Sequence, residues 1–351
     1  MLRAAAATAL AAWTLAACSP APDAWNGAER TFAARDSGEV NSEPACVYCF
    51  IAFDTVVTLG SSQDPGGIGG AGFTPWTVDG RGRYFAQVQN HEVFVYAPDG
   101  TFMRSLAPLG EGPGELPRDH LMLSVGAGDT LRVVGGFPGA IHVFAPDLTF
   151  VRRVPMAAGV GEVAMATYHP ATGAFLVPDF GRSRDALKLV GPGGEVVRTL
   201  ATKPGDGRIH LLAVNAPDGT IWTLPSHGWQ LDNWSTEGVR LRSFHATMPW
   251  STAPDNGFIG MSFDSEGRAY LFAIDRSGMV VDPRSGAISR ADSEYSFIVE
   301  VLDLASGTLL ARRQLSQLVS AAPVGAGAFT VAESVSGNLR IQILRPRFVE
   351  E

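Results

Sequence analysis

The sequence predicts an all-β protein, a six-bladed β-propeller in which an N-terminal strand closes the last blade. Three observations support this fold: a repeated segment, a regular spacing, and a strand that is missing at the C-terminus and present near the N-terminus. One segment, residues 93–106, recurs with decreasing fidelity at 141–154, 187–200 and 231–244. The corresponding turn positions of the four copies are 48, 46 and 44 residues apart: Gly100, Leu148, Gly194 and Gly238.

Each copy consists of an apolar run, a turn of Pro, Asp or Gly type and a second apolar run, which is the pattern of a β-hairpin. Hairpins that recur every forty-odd residues are typical of propeller blades. Six units open with an inner strand and a turn, at residues 76–85, 123–132, 166–175, 212–221, 261–270 and 320–329. We interpret the Asp and Gly of these turns as structural, because Asp caps its own turn and Gly accepts a positive φ.

The last unit ends too early to be complete. Its third strand, residues 338–344, is followed by too few residues for an outer strand. Residues 54–67 imitate residues 101–114, the outer strand and connector of the first unit. We therefore expect residues 56–59 to pair with residues 339–344 and to close the ring, which removes two exposed sheet edges.

Composition limits the functional classes. The 351 residues include 40 Gly, 23 Pro and 18% charged residues, which excludes a disordered or collagen-like chain. The formal charge of −8 provides no basic surface, so we expect no nucleic-acid partner. The sequence has no Gly-x-Ser-x-Gly element and no nucleotide-binding fingerprint, and we expect no cofactor.

The N-terminus predicts export. Residues 1–17 combine a basic start with an apolar run too short to cross a bilayer comfortably, which indicates a signal peptide. The run ends in Leu15-Ala16-Ala17-Cys18 and resembles the lipobox of bacterial lipoproteins, which implies a lipid on Cys18; ordinary secretion with Cys18 as a spare thiol is the alternative. By the same resemblance, Ser19 in place of Asp after the cysteine implies the outer membrane in an organism that has one. Residues 18–45 are expected to be a flexible tether, and residues 46–351 the propeller.

The two remaining cysteines, Cys46 and Cys49, form an isolated pair. In an exported chain such a pair is expected to form a disulfide. A redox-active pair and a metal site are the alternatives, although two cysteines alone cannot complete a zinc site.

The unit pattern, and above all the connector from Gly110 to Glu115 with its sequence Gly-Glu-Gly-Pro-Gly-Glu, resembles the NHL-type six-bladed propeller lipoproteins of bacteria. The resemblance covers roughly residues 46–347 and weakens in the fourth and fifth units. It implies the fold and a cell-envelope location, and it implies a binding scaffold more often than an enzyme.

The expected ligand surface is the face that carries the connectors between blades and the loops between second and third strands. The unusual residues of these loops are the predicted ligand-binding residues: Arg118, His120, Arg182, His227, Trp229 and Trp250. Exposed tryptophans could stack on a sugar or pack on a peptide, whereas core packing is the alternative for them. Residues 277–296 form an insertion that is expected on the same face. His142, inside an apolar strand, is expected to be packed and hydrogen-bonded.

Two functions follow from this interpretation. The first is a lipid-anchored, non-catalytic scaffold for an envelope protein, peptide or glycan. The alternative resembles the gluconolactonase-like propellers, in which a Glu, an Asn and an Asp hold a divalent ion that activates water. Glu162, Asn215 and Asp264 are the residues available for that role near inner strands.

Overall fold

The computed structural model describes residues 36–41, 43–46, 48–60, 75–88, 91–119, 121–136, 139–157, 166–178, 185–202, 211–225, 229–248, 257–275, 280–281, 288–289, 296–315, 319–321, 329–335 and 338–350. The chain divides into two compact units, Met1–Phe32 and Ala33–Glu351, and every described residue belongs to the second. Within these ranges no helix has the length and apolar character needed to cross a membrane. Cys18 lies outside the described residues.

The described part of the chain is built from short β-strands and one 3-10 turn, Ala127–Asp129. The strands are β1 Asp36–Glu39, β2 Phe50–Leu59, β3 Trp76–Val78, β4 Tyr84–Gln87, β5 Val93–Tyr96, β6 Phe102–Ser105, β7 Met122–Val125, β8 Leu131–Gly135, β9 Ala140–Phe144, β10 Phe150–Pro155, β11 Thr167–His169, β12 Ala174–Pro178, β13 Asp185–Val190, β14 Val196–Thr202, β15 Leu211–Asn215, β16 Ile221–Pro225, β17 Trp229–Trp234, β18 Arg240–Ala246, β19 Gly257–Phe263, β20 Arg268–Asp275, β21 Val280–Val281, β22 Ile288–Ser289, β23 Ser296–Asp303, β24 Thr308–Leu315, β25 Val319–Ala321, β26 Phe329–Val335 and β27 Asn338–Val349.

The strands form successive antiparallel sheets. The first sheet holds β3–β6, the second β7–β10, the third β11–β14, the fourth β15–β18, and the fifth β19, β20, β23 and β24. The closing sheet holds β25–β27 and β2, and the fourth sheet gains β1 as a further strand. The prediction of six blades is therefore corrected: the structure has five four-stranded blades, and the fourth sheet has five strands. The predicted insertion joins β20 to β23 and contains the ribbon of β21 and β22.

The position of a strand in its sheet explains its composition. The middle strands β4, β5 and β12 are buried along their whole length, because both faces of the sheet are covered by neighbouring sheets. Their sequences are accordingly continuous runs of aromatic and aliphatic residues. The outer strands β6 and β10 are mostly exposed and carry arginines.

The N-terminal strand closes the ring as predicted. β2 pairs antiparallel with β27 in a register that places Val57 opposite Ile343 and Leu59 opposite Ile341. Leu59 and Ile341 lie in one buried cluster with Trp76 of the first sheet, so the closing sheet packs on the first sheet. This packing joins the last sheet of the ring to the first through hydrophobic burial.

The other neighbouring sheets are joined in a similar way. Four further buried clusters join the first sheet to the second, the second to the third, the fourth to the fifth and the fifth to the closing sheet. Between the third and fourth sheets, the Thr167 hydroxyl donates to the Ala213 carbonyl oxygen at 3.0 Å. The sheets therefore contact one another around a closed ring.

Every outer strand contains a β-bulge at the same repeat position. The pairing skips one residue in each outer strand: Val56, Met103, Val151, Val197, Leu241 and Leu310. Four of these side chains are exposed, whereas Leu241 and Leu310 are half-buried. Bulges at sheet edges interrupt the regular ladder and disfavour pairing with other chains.

The half-buried bulges lie beneath an N-terminal strap, residues 36–46. β1 pairs in parallel with β18, and the Ala45 and Cys46 amides donate to the carbonyl oxygens of Leu309 and Leu310 at 2.8 and 3.3 Å. Val40 is only 3% exposed and packs in the core cluster of the fourth and fifth sheets. The prediction of a flexible tether over residues 18–45 is thus corrected for residues 36–41 and 43–45, because the buried Val40 and backbone hydrogen bonds hold them to the sheets.

A disulfide joins Cys46 to Cys49 where the strap turns into β2, and the two Cα atoms are 5.4 Å apart. Cys49 packs against the buried cluster that contains Ile51 and Val299. The bridge therefore stands at the junction of the strap, the fifth sheet and the closing sheet.

Candidate functional site

The candidate site lies on one end of the strands. Turns in an antiparallel sheet alternate between the two ends, so the connectors between sheets and the loops between second and third strands share one end. We call this end the connector face. It includes the connector of residues 106–121, between the first and second sheets, and the turn between β8 and β9.

Backbone hydrogen bonds fold the connector of residues 106–121 into a compact loop. The Gly110 amide donates to the Leu116 carbonyl oxygen, and the Leu116 amide donates to the Pro108 carbonyl oxygen, both at 2.9 Å. The Leu116 side chain is fully buried between the first and second sheets. Burial of this one leucine fixes the loop against the sheets.

The repeated glycines of the connector have a structural cause. The Gly112 amide donates to Glu115 Oε2 at 2.7 Å, so the Glu115 carboxylate caps its own turn. A Cβ atom at Gly110 would collide with that carboxylate. The Gly-Glu-Gly-Pro-Gly-Glu sequence is therefore the sequence of a capped turn.

Gln87 fixes the other end of the connector. Its buried side-chain Nε2 donates to the Asp119 carbonyl oxygen at 2.6 Å, and its Oε1 accepts from the Leu121 amide at 3.0 Å. A side-chain amide that hydrogen-bonds two backbone groups at the end of a loop holds that end in one conformation. Sequence reasoning missed Gln87, because its partners are more than thirty residues away.

A small cavity of about 30 Å³ opens between this connector and the second sheet. It is lined by Gly110, Glu111, Glu115, Pro117, Gly135, Gly136, His142 and Arg153. We call this cavity the connector pocket. Its two glutamates belong to the connector of residues 106–121, whereas His142 lies on β9 and Arg153 on β10.

Strand register brings His142 and Arg153 together. His142 on β9 is opposite Val133 on β8 and Arg153 on β10, so the three side chains share one face of the second sheet. That face is turned toward the first sheet, because Val133 belongs to the cluster between the two sheets. The pairing thus places an imidazole and a guanidinium group beside the connector.

His142 is 3% exposed, and its Nδ1 atom has no hydrogen-bond partner within the described chain. Burial, and to a lesser extent the positive charge of Arg153, lowers its pKa from 6.5 to about 4. The imidazole is therefore neutral near pH 7. The expectation that His142 is packed is confirmed, and no described residue bonds its Nδ1.

The charged groups of the connector pocket are not paired with one another. Arg153 and Glu111 are exposed, and the described residues include no ion pair between Arg153 and either Glu111 or Glu115. Two carboxylates and one guanidinium group thus border the same cavity. Each keeps hydrogen-bonding capacity for a bound group.

Arg118 is the one predicted ligand-binding residue that the structure describes on the connector face, where its side chain is exposed beside the connector pocket's Pro117. His120, Arg182, His227 and Trp250 lie outside the described residues. The Arg118 side chain is therefore a suitable position from which to probe this face.

Trp229 is not on the surface, which corrects its prediction as a ligand-binding residue. Its side chain is 4% exposed, and its Nε1 donates to Glu300 Oε2 at 2.8 Å. Arg312 Nε donates to the other carboxylate oxygen of Glu300, also at 2.8 Å. A buried carboxylate between two donors is a structural element of the contact between the fourth and fifth sheets.

The residues considered for a metal-dependent hydrolase have other contacts. The Asn215 side-chain amide donates to the Tyr168 carbonyl oxygen. Asp264 Oδ1 caps its own turn by accepting from the amides of Glu266 and Arg268 at 2.9 and 3.0 Å. Glu162 lies outside the described residues, among which no three His, Cys, Asp or Glu side chains are grouped to hold a metal ion.

Comparison with solved structures identifies the fold. A protein classed as exported, from Bacteroides fragilis, superposes with a TM-score of 0.59 at 9% identity, over 90% of this chain and 99% of that protein. A member of the DUF4221 family from Bacteroides vulgatus gives 0.55 at 10% identity, over 86% and 99%. Virginiamycin B lyase from Staphylococcus aureus gives 0.50 at 12% identity, over 85% and 99%. This chain is a β-propeller.

At these identities the likeness establishes the propeller fold alone. No family model matches the chain, and no curated protein sequence matches it. The function of this propeller therefore has to be argued from its own site.

Proposed function

We propose that this protein is an exported, lipid-anchored β-propeller of the NHL type that binds an envelope protein, peptide or glycan, without catalysis, on its connector face. The connector pocket is the observation that carries the proposal. It combines a buried neutral imidazole whose Nδ1 has no partner in the described chain with charged groups that remain unpaired. The two carboxylates and the guanidinium group that border the cavity form no ion pair with one another, so they keep hydrogen-bonding capacity for a ligand.

The envelope location rests on the N-terminal sequence. The apolar run and Cys18 support a lipid anchor, and Ser19 supports the outer membrane as its destination. The Cys46–Cys49 disulfide fits an oxidising compartment outside the cytoplasm. One structural neighbour is classed as an exported protein, which agrees with a location outside the cytoplasm.

We also propose that the ring has six blades, with the five-stranded fourth sheet as one of them. The equivalent bulges support this count, because they occur in the outer strands of all six large sheets. Strand β1 is then an addition to the edge of a normal blade. The alternative function, a metal-dependent hydrolase, receives no support from the described residues.

Photo-crosslinking of the full-length protein in its native envelope tests the proposed function. A photoreactive amino acid is placed at Arg118 on the connector face, and in a matched variant at exposed Ser265, in the turn between β19 and β20 at the opposite end of the strands. We expect an ultraviolet-dependent adduct from position 118 and none from position 265. Adducts from position 265 alone, or from neither position, contradict the proposal.

A further inference from the structure

We propose that the connector pocket binds a pair of neighbouring hydroxyl groups of a sugar, so that the partner is a glycan; this inference rests on the proposed function. The pocket offers acceptors on Glu111 and Glu115 and a donor on Arg153, around a neutral His142. A hydroxyl group both donates and accepts a hydrogen bond. One hydroxyl therefore suits a carboxylate, and its neighbour suits the guanidinium group.

The size of the pocket agrees with two small polar groups. A cavity needs roughly 10–15 Å³ to hold one water-sized group. The connector pocket, at about 30 Å³, therefore has room for two hydroxyl oxygens. Gly135 and Gly136 on its wall carry no side chains.

The charges of the pocket disfavour ionic ligands. A carboxylate or phosphate that reached Arg153 would meet two glutamates, and an ammonium group that reached the glutamates would meet Arg153. A neutral ligand with hydrogen-bond donors and acceptors meets neither repulsion. A neutral diol therefore meets neither repulsion and can hydrogen-bond both the carboxylates and the guanidinium group.

His142 adds a group that is matched to such a ligand. In the neutral imidazole one ring nitrogen donates and the other accepts a hydrogen bond. The unpartnered Nδ1 is buried, and a buried polar atom without a partner is costly. Nδ1 itself is not accessible from the cavity, so a sugar hydroxyl reaches it only if the side chains around it move.

Saturation-transfer NMR of the full-length protein in detergent tests this inference. The probes are the methyl glycosides of mannose, galactose and N-acetylglucosamine, with cyclohexanol as the probe that has a ring and a single hydroxyl. We expect a saturable signal from at least one glycoside and none from cyclohexanol. No signal from any glycoside would overturn the diol ligand.

Variants locate the binding to the pocket. We expect R153M and E111Q each to weaken the glycoside by about tenfold or more, the effect of losing one hydrogen bond to a charged group. The matched control is R152M, since Arg152 is also exposed on β10 but pairs with Val143 on the other face of the sheet. Equal affinity in R153M, E111Q and R152M, with each variant folded by circular dichroism, would overturn the proposed site.

The two proposals fail in different ways. An adduct from position 118 with no glycoside signal supports the binding scaffold and overturns the glycan as its partner. A partner that remains crosslinked after enzymatic deglycosylation has the same two consequences. Absence of both the adduct and the glycoside signal overturns both proposals.

Discussion

Arg242 in the outer strand of the fourth sheet donates from Nη1 to the carbonyl oxygen of Leu304, in the hairpin turn of the fifth sheet, at 2.6 Å. The same repeat position is occupied by Arg104 and Arg198, which donate to Leu148 and Glu237 in the hairpin turns of the sheets that follow them. One arginine of the repeat thus joins an outer strand to the next sheet. This contact explains why an exposed strand retains a basic residue in successive units.

Replacing Arg242 with Met is expected to lower the free energy of unfolding by about 1–2 kcal/mol, because a hydrogen bond from a charged donor to a half-buried carbonyl is lost. Urea denaturation followed by tryptophan fluorescence measures the change. Arg152 is the matched control, since it holds the same repeat position and has no partner within the described chain. R152M should stay within about 0.5 kcal/mol of the unmodified protein. Equal losses in the two variants would argue against a role in joining the sheets.

The strap gives a second prediction. Val40→Ala removes two buried methyl groups from the contact with the fourth and fifth sheets, and we expect a loss of about 1–2 kcal/mol. We also expect faster proteolysis within residues 36–46, because the backbone hydrogen bonds of the strap then open more often. Exposed Glu39 is the control, and E39A should leave the cleavage rate unchanged. A strap that is cleaved at the same rate in all three proteins would show that Val40 does not hold it.

Sequence repeats predicted the parts of this fold that depend on local pattern. The hairpins, the turns capped by Asp and Gly, and the pairing of β2 with β27 were all predictable, since each unit repeats the same apolar and turn residues. The likeness of residues 54–67 to residues 101–114 added one more constraint, because it marked β2 as an outer strand of the repeat.

Features that depend on distant contacts were missed. Strand β1 has the sequence Asp-Ser-Gly-Glu, which has low strand propensity, and it becomes a strand only through the edge of β18. Trp229 and His142 illustrate the same limit at the site. Trp229 was proposed as a ligand contact, with core packing as the alternative, and it is buried, whereas a histidine in an apolar strand was predicted to be hydrogen-bonded and borders a pocket.

Trp229 gives a third prediction, which separates packing from ligand binding. W229F removes the donor to buried Glu300 Oε2 and is expected to cost about 1–3 kcal/mol, while partner capture at position 118 stays unchanged. Glu300→Leu leaves the Arg312 guanidinium group without its carboxylate and should cost more, about 3–5 kcal/mol. Urea denaturation of both variants, with crosslinking from position 118, measures the two effects. If a stable W229F protein no longer crosslinked its partner from position 118, Trp229 would have to be counted as a ligand contact.

The pH dependence of stability gives the last prediction. The pKa of His142 is about 4 in the folded protein and 6.5 for an ordinary histidine, so between these values the unfolded chain binds a proton that the folded chain does not. The stability supplied by the neutral imidazole is thus fully present above pH 6.5 and is lost as the pH falls toward 4. This difference in the pKa of His142 predicts that the free energy of unfolding falls by about 2 kcal/mol between pH 7 and pH 5.

Replacement of His142 with Gln removes this titration and leaves the other titrating groups, including Glu111, Glu115 and Arg153 around the pocket, in place. The H142Q protein should therefore lose less stability than the unmodified protein between pH 7 and pH 5. Urea denaturation of both proteins at the two pH values gives the difference directly, and the changes caused by carboxylates shared by both proteins cancel. Identical losses in the two proteins would mean that His142 is not held neutral by burial, and the argument for a neutral imidazole in the connector pocket would lose its basis.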